Sequence, residues 1–118
     1  LDETVALTKE QILAADDLGL LEVKVKEWGG SVFIRVMTCG ERDSYENDWV
    51  ANKGKGVENF RTKFLARCLC DEKGARLFTD AEVEQLAKKS AKVMSRVWAK
   101  AMEHNALTDK DVEELAKN

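Results

Sequence analysis

Proline is absent from the 118 residues, so every helix must be ended by something other than a pyrrolidine ring. Histidine occurs once, as His104, beside Asn105 at the end of an apolar-periodic stretch. There its cation suits the negative end of a helix, and no cysteine or serine stands near it in the pattern of a nucleophile and base. The three cysteines, Cys39, Cys68 and Cys70, include no C-x-x-C pair and cannot all pair with one another. Read as two apart on one helix, Cys68 and Cys70 point about 200° apart. They are expected to be core thiols of a reducing compartment, not metal ligands or a disulfide. No apolar run nears the ~20 residues of a membrane span. The acidic, polar start Leu1-Asp2-Glu3-Thr4 has no form of a secretory leader, and the absence of an initial Met leaves open a trimmed or unseen N-terminus. Charge of one sign is also missing: the net charge is −3, with acids and bases interspersed, so no broad cationic face for nucleic acid is expected.

Hydrophobic residues at 44% and charged residues at 35% place the chain among folded proteins with a well-solvated surface. The length fits one domain, taken as 1–118. The recurring signal is a helix start. Thr8-x-x-Gln11, Thr38-x-x-Glu41 and Thr79-x-x-Glu82 have the capping-box form, and Thr108-x-x-Asp111 is a shorter relative. Asn59 is a further candidate cap, for a stripe of Phe60, Phe64, Leu65, Cys68 and Leu69 that 71–74 would end at Gly74. A second stripe runs through Val93, Met94, Val97, Trp98, Ala101 and Met102, with Ser90 able to cap it separately. Helices are therefore expected at about 9–17, 39–51, 59–70, 80–104 and 109–117.

Residues 21–37 change period. Leu21, Val23 and Val25 alternate with Glu22, Lys24 and Lys26, and Val32, Ile34 and Val36 alternate after Gly29-Gly30. A two-residue turn at the glycines would set Val25 opposite Ile34 and Val23 opposite Val36. The fold class is thus α+β: mainly helical, about five helices, with one antiparallel β-hairpin. The expected core is Val23, Val25, Ile34, Val36, Phe60, Phe64, Leu65, Leu69, Val97 and Trp98. The glycine- and lysine-rich stretch 52–57 is expected to be a mobile loop.

Reactive chemistry has little support. Gly54-Lys55-Gly56 lacks the spacing and the feeding strand of a phosphate loop. If Gly74 is set at position six of a calcium loop, Leu69 and Lys73 fall at ligand positions. No catalytic residue, metal site or cofactor is expected.

What remains forms an ordered series: Glu27-Trp28-Gly29-Gly30; Thr38 with Glu41-Arg42-Asp43; Asp71 through Asp80 with Leu77-Phe78-Thr79-Asp80; Val83-x-x-Leu86; and Leu107-Thr108-Asp109-Lys110-Asp111-Val112-Glu113-Glu114-Leu115. In that order the series, over about 5–118, resembles the tail assembly chaperones of long, flexible-tailed bacteriophages. It departs from them at Cys39-Gly40, where pairs such as Gly-Ala are more typical. The resemblance implies a non-enzymatic protein of the host cytoplasm, absent from the mature virion. It would bind the tape measure protein, contact the tail tube protein mainly through a frameshift-extended form, and form a homo-oligomer; neither nucleic acid nor membrane is an expected partner. Two other readings stay open: an interaction domain of non-phage function, and a small-molecule enzyme, which would need a pocket of perturbed acids. The partner-binding face is expected on the outer side of the hairpin, at Lys24, Lys26, Trp28, Phe33, Arg35 and Met37. Lys24 would lie opposite Arg35, a like-charge pair that favours a partner over water. The alternative is that the segment 8–16 of the same chain covers these aromatics, which would give Ile12 and Leu13 somewhere to go.

Overall fold

The capped threonines begin their helices where the sequence places them. A computed structural model describes residues 5–51 and 59–116, and among these Thr8 precedes α1 (Lys9–Ala14), Thr38 precedes α2 (Cys39–Ala51) and Thr108 precedes α6 (Asp109–Ala116). Each of the three boxes is closed both ways: Gln11, Glu41 and Asp111 accept from the threonine N–H at 2.9, 2.8 and 2.9 Å, and each donates its own N–H to the threonine hydroxyl at 3.1 Å. Thr79 starts a 3-10 turn, Asp80–Glu82, that continues into α4 (Val83–Leu86). The 80–104 stretch is parted at 87–90, and α5 (Ala91–His104) begins behind Ser90, whose hydroxyl accepts from the Val93 N–H at 3.4 Å. α1 is shorter than the expected 9–17. The loop expected at 52–57 lies outside the described residues.

Three expectations need correction. The first is the hairpin register. β1 (Leu21–Val25) and β2 (Gly30–Ile34) pair as Leu21 with Ile34, Val23 with Val32 and Val25 with Gly30. The connection is four residues, not two: Lys26–Trp28 makes a 3-10 turn closed by the Gly29 N–H on the Lys26 carbonyl at 3.0 Å, and Gly29 takes the positive φ of 77°. Each residue's partner has moved by four. An even shift leaves the faces unchanged, so Leu21, Val23, Val25, Val32 and Ile34 still share the core side. Val36 lies beyond the strand, half-buried.

The second is the end of the third expected helix. α3 (Phe60–Cys68) stops two residues early, and Leu69–Cys70 becomes β3, antiparallel to β2. The sheet therefore has three strands, in the order β1-β2-β3. Residues 71–74 then form a turn in which the Asp71 carboxylate accepts from the Lys73 and Ala75 N–H groups at 2.8 and 3.0 Å, with Gly74 at φ 89°. The third is Asn59. It precedes α3 in a left-handed conformation, but its side chain makes no cap; it donates to Glu84 at 3.0 Å.

The core lies between the sheet's aliphatic face, α3 and α5. Val25, Ile34, Leu65, Ala66, Cys68, Val97 and Ala101 are fully sequestered. Of the ten core residues expected, seven are buried, and Val23 and Trp98 pack partly buried against them. α2 adds an aromatic layer that the stripes did not reveal: Tyr45 and Trp49, one turn apart, meet Phe60 at 6.1 and 4.8 Å between ring centroids, and Tyr45 meets Phe64 at 5.5 Å.

Asn105 ties these layers together. It is buried, its Oδ1 accepts from the Met37 N–H at 2.8 Å, and its Nδ2 donates to the Ala101 and Arg35 carbonyls at 3.0 and 3.2 Å. One amide thus joins the exit of β2 to the end of α5.

Candidate interaction surface

The six residues expected on the hairpin's outer side do not form one face. Lys24 and Lys26 are exposed, beside a shallow depression they share with Glu27, Ser31 and Arg96. Phe33 is half-buried on the same side of the sheet as Cys70, its β3 partner. Trp28 packs partly buried against the core. Arg35 lies beyond the strand; it pairs with Glu41 at 2.6 Å and donates to the Arg67 carbonyl at 2.9 Å. Met37 is 6% exposed and belongs to the core. The expected opposition of Lys24 and Arg35 does not occur, because Lys24 stands across from Ser31. The four-residue loop is the cause: it ends the ladder at Ile34, and the chain beyond turns inward toward Asn105.

The loop is fixed from outside. Arg96 of α5 binds Glu27 with two hydrogen bonds, 2.6 and 3.0 Å. That bidentate guanidinium contact holds the Glu27 carboxyl down at about 2.

The largest exposed apolar feature is elsewhere. Val5, Leu7, Ile12 and Leu13 are 69, 63, 59 and 78% exposed, and Leu18 and Leu20 are exposed too. α1 buries no residue. The segment 8–16 therefore does not cover the hairpin aromatics, and Ile12 and Leu13 face solvent. The arm's foot is held at Gly19 and Leu20, the latter with its side chain beside Gly74. His104 Nε2 lies 2.8 Å from the Gly19 carbonyl, which only accepts, so the ring nitrogen carries the hydrogen.

A groove of about 390 Å³ lies between α3 and α5, with Phe60, Met94 and Trp98 on its apolar side. Arg61 sits over the Trp98 ring at 5.2 Å, and Arg61 and Lys89 are the charged residues lining it. No expectation from the sequence pointed here, since Phe60 and Trp98 had been placed in the core. The sequence carried no distinct signal for it: Phe60 and Trp98 belong to the same stripes as the core, and the exposed Arg61 beside them reads as an ordinary surface cation.

The buried titratable groups are quiet ones. Burial pushes the Cys68 thiol up to about 12 and raises Cys70, so both stay protonated thiols; Tyr45 is likewise raised by burial. At Glu41, partial burial works upward, but the hydrogen bonds from Arg35 and Thr38 outweigh it and the net shift is down. Among the described residues no three His, Cys, Asp or Glu side chains are grouped to hold a metal ion, and no helix is long and apolar enough to cross a membrane.

Comparison with known proteins agrees with the residues. The sequence profile of a family described as phage tail assembly chaperone matches residues 20–118. No curated protein matches the sequence. Among solved structures, the bacteriophage HK97 tail assembly chaperone superposes with a TM-score of 0.54 at 22% identity, over 85% of this chain and 92% of that one. At that identity the likeness speaks to the fold. The profile match begins at residue 20, the foot of the arm, so the arm precedes it.

Proposed function

This chain belongs to the phage tail assembly chaperone family, a family of non-enzymatic chaperones, and we propose that it acts by binding the tape measure protein and promoting assembly of the tail tube on it. That membership sets aside the non-phage and enzymatic alternatives. The observation that carries the finer step is exposed apolar side chain on a small, highly charged body: Leu7, Ile12 and Leu13 in the arm, and the open side of the groove at Trp98. A long apolar helix needs such surface to cover its own, and needs charge around it to stay in solution. The same logic supports self-association; action in the host cytoplasm during assembly, with no place in the mature virion, is carried over from the family. Contact with the tail tube protein belongs chiefly to an extended form of the chain. Of the hairpin residues, Lys24 and Lys26 remain the partner-facing pair, with Phe33 at their margin; they suit an acidic stretch of the ruler.

Co-expression tests this directly. Tape measure protein produced with the chaperone should be recovered soluble and copurify with it, and should precipitate when produced alone. A ruler equally soluble without the chaperone, or one that never copurifies with it, would overturn the proposal. Lys24→Glu with Lys26→Glu should weaken copurification while leaving the melting temperature in place.

A further inference from the structure

We propose that the N-terminal arm of one copy docks in the α3/α5 groove of a second copy, making a head-to-tail contact between chaperone subunits. The inference rests on the self-association proposed above and names the two surfaces that would carry it.

Three observations meet here. The arm is an unpartnered apolar segment: its helix buries nothing, and Leu13, Ile12 and Leu7 are its most projecting anchors together with Val5. Full closure of its capping box makes α1 a formed ligand, which lowers the ordering cost of docking. The groove is an unfilled apolar concavity of about 390 Å³ floored by Phe60, Met94 and Trp98, within the size range of pockets that take a few anchoring side chains. The charges are complementary. The arm carries Glu10, Asp16 and Asp17 against the single Lys9, while the charged residues lining the groove, Arg61 and Lys89, are both cations. Cations around an apolar groove steer and orient an acidic helix, and the apolar anchors hold it.

Arm and groove are different surfaces of the chain, so the contact is heterologous. Each subunit that offers its arm still has an open groove, and such contacts grow into rings or open chains. His104 fixes the foot of the arm at Gly19, at the opposite end of α5 from Met94.

The test is the assembly state of the full chain, by light scattering over a concentration series. Ile12→Ser with Leu13→Ser removes the arm's anchors; Arg61→Glu with Lys89→Glu reverses the groove's charge. All four positions are exposed, so melting temperatures should stay close to the wild type's. Each double variant alone should need about tenfold or more higher concentration to assemble, equivalent to about 1.4 kcal/mol or more of contact. An equimolar mixture should form a complex that stops at two chains, because one variant keeps a working groove and the other a working arm. Wild-type assembly by either variant would overturn the inference. So would a mixture that forms no complex, or a wild-type monomer whose arm is protected by its own groove. If Arg61→Glu with Lys89→Glu loses its melting transition, Arg61→Ala with Lys89→Ala replaces it under the same criteria. Copurification of the tape measure protein with the wild-type chain is read in parallel: assembly without ruler binding strikes only the function proposed above, and ruler binding by a wild type that stays monomeric at every concentration strikes only this inference.

Discussion

The arm and the body begin with the same local device and end in opposite states. Thr8 with Gln11 and Thr38 with Glu41 close their boxes with nearly identical hydrogen bonds. Behind Thr38, Tyr45 and Trp49 are buried among Phe60 and Phe64. Behind Thr8, Ile12 and Leu13 meet solvent. A cap sets where a helix starts and contributes about 1 kcal/mol. Whether the helix then has a core to join is decided by distant residues. In the arm, nothing among the described residues of the same chain supplies that core.

The difference has a large energetic edge at Phe64, which is 1% exposed. Phe64→Ala should cost about 3–5 kcal/mol through the cavity it leaves between Tyr45 and the α5 stripe. Denaturant unfolding of the two proteins measures it. A change below about 0.5 kcal/mol, the size expected of an ordinary surface site, would mean that this layer is no more integrated than the arm.

Asn105→Ala comes next. The amide satisfies the Met37 N–H and two carbonyls in a buried position, so the variant strands a buried donor at the exit of β2. The expected cost is about 1–3 kcal/mol. Hydrogen exchange should locate it: the Met37 amide should lose protection far more than the amides of α1, which have none of this support.

How much of this was legible in advance divides along the same line. Local chemistry was readable. The four threonines placed helix starts at residues 9, 39, 80 and 109, and the period-two alternation chose the correct face of the hairpin despite the wrong register, because the slip was even. Long-range facts were not. Gly29-Gly30 fits a two-residue turn as well as it fits the observed loop, and only packing of Trp28 and the Arg96–Glu27 contact distinguishes them. β3 is two residues long, too short for any period to show, and exists because β2 offers it an edge. Asn105 looked like a helix terminus; its role depends on residues 35–37 and 101 together. The six expected residues do not share one face for the same reason: Met37 and Arg35 were assigned by extending an alternation past the point where the strand ends.

A smaller effect is one that acid removes. The Glu27 carboxyl titrates at about 2 when folded against an ordinary 4.5, chiefly through its hydrogen bond from Arg96. A depressed carboxylate contributes stability above its unfolded pKa, and that contribution is lost as pH falls through the folded one. The contact is solvent-facing, so the effect should be modest and reduced by salt. Melting temperatures of the wild type and Arg96→Gln should therefore differ at pH 6, converge as pH drops from 4.5 toward 2, and differ less in high salt. A gap that widens in acid would reverse the sign of the argument. The same titration should leave the arm untouched, since none of its contacts to the body is an ion pair shown among the described residues.

The smallest expected effect is the one that tests the comparison most directly. Leu13→Ser should change the unfolding free energy of the dilute, monomeric chain by no more than about 0.5 kcal/mol, although a leucine is lost. Burying a leucine side chain stabilises by about 1.5–3 kcal/mol, and that term is missing when the residue is 78% exposed in the folded state and exposed again in the unfolded one. Serine is also a slightly poorer helix former than leucine, which adds a few tenths at most in a helix of six residues. A loss near 2 kcal/mol in the monomer would place the arm against its own body and remove the contrast with Phe64. A null effect in the monomer, joined to a fall in stability that appears only at concentrations where the wild type assembles, would locate the missing burial between subunits, because mass action stabilises a folded chain only through surfaces that a partner covers.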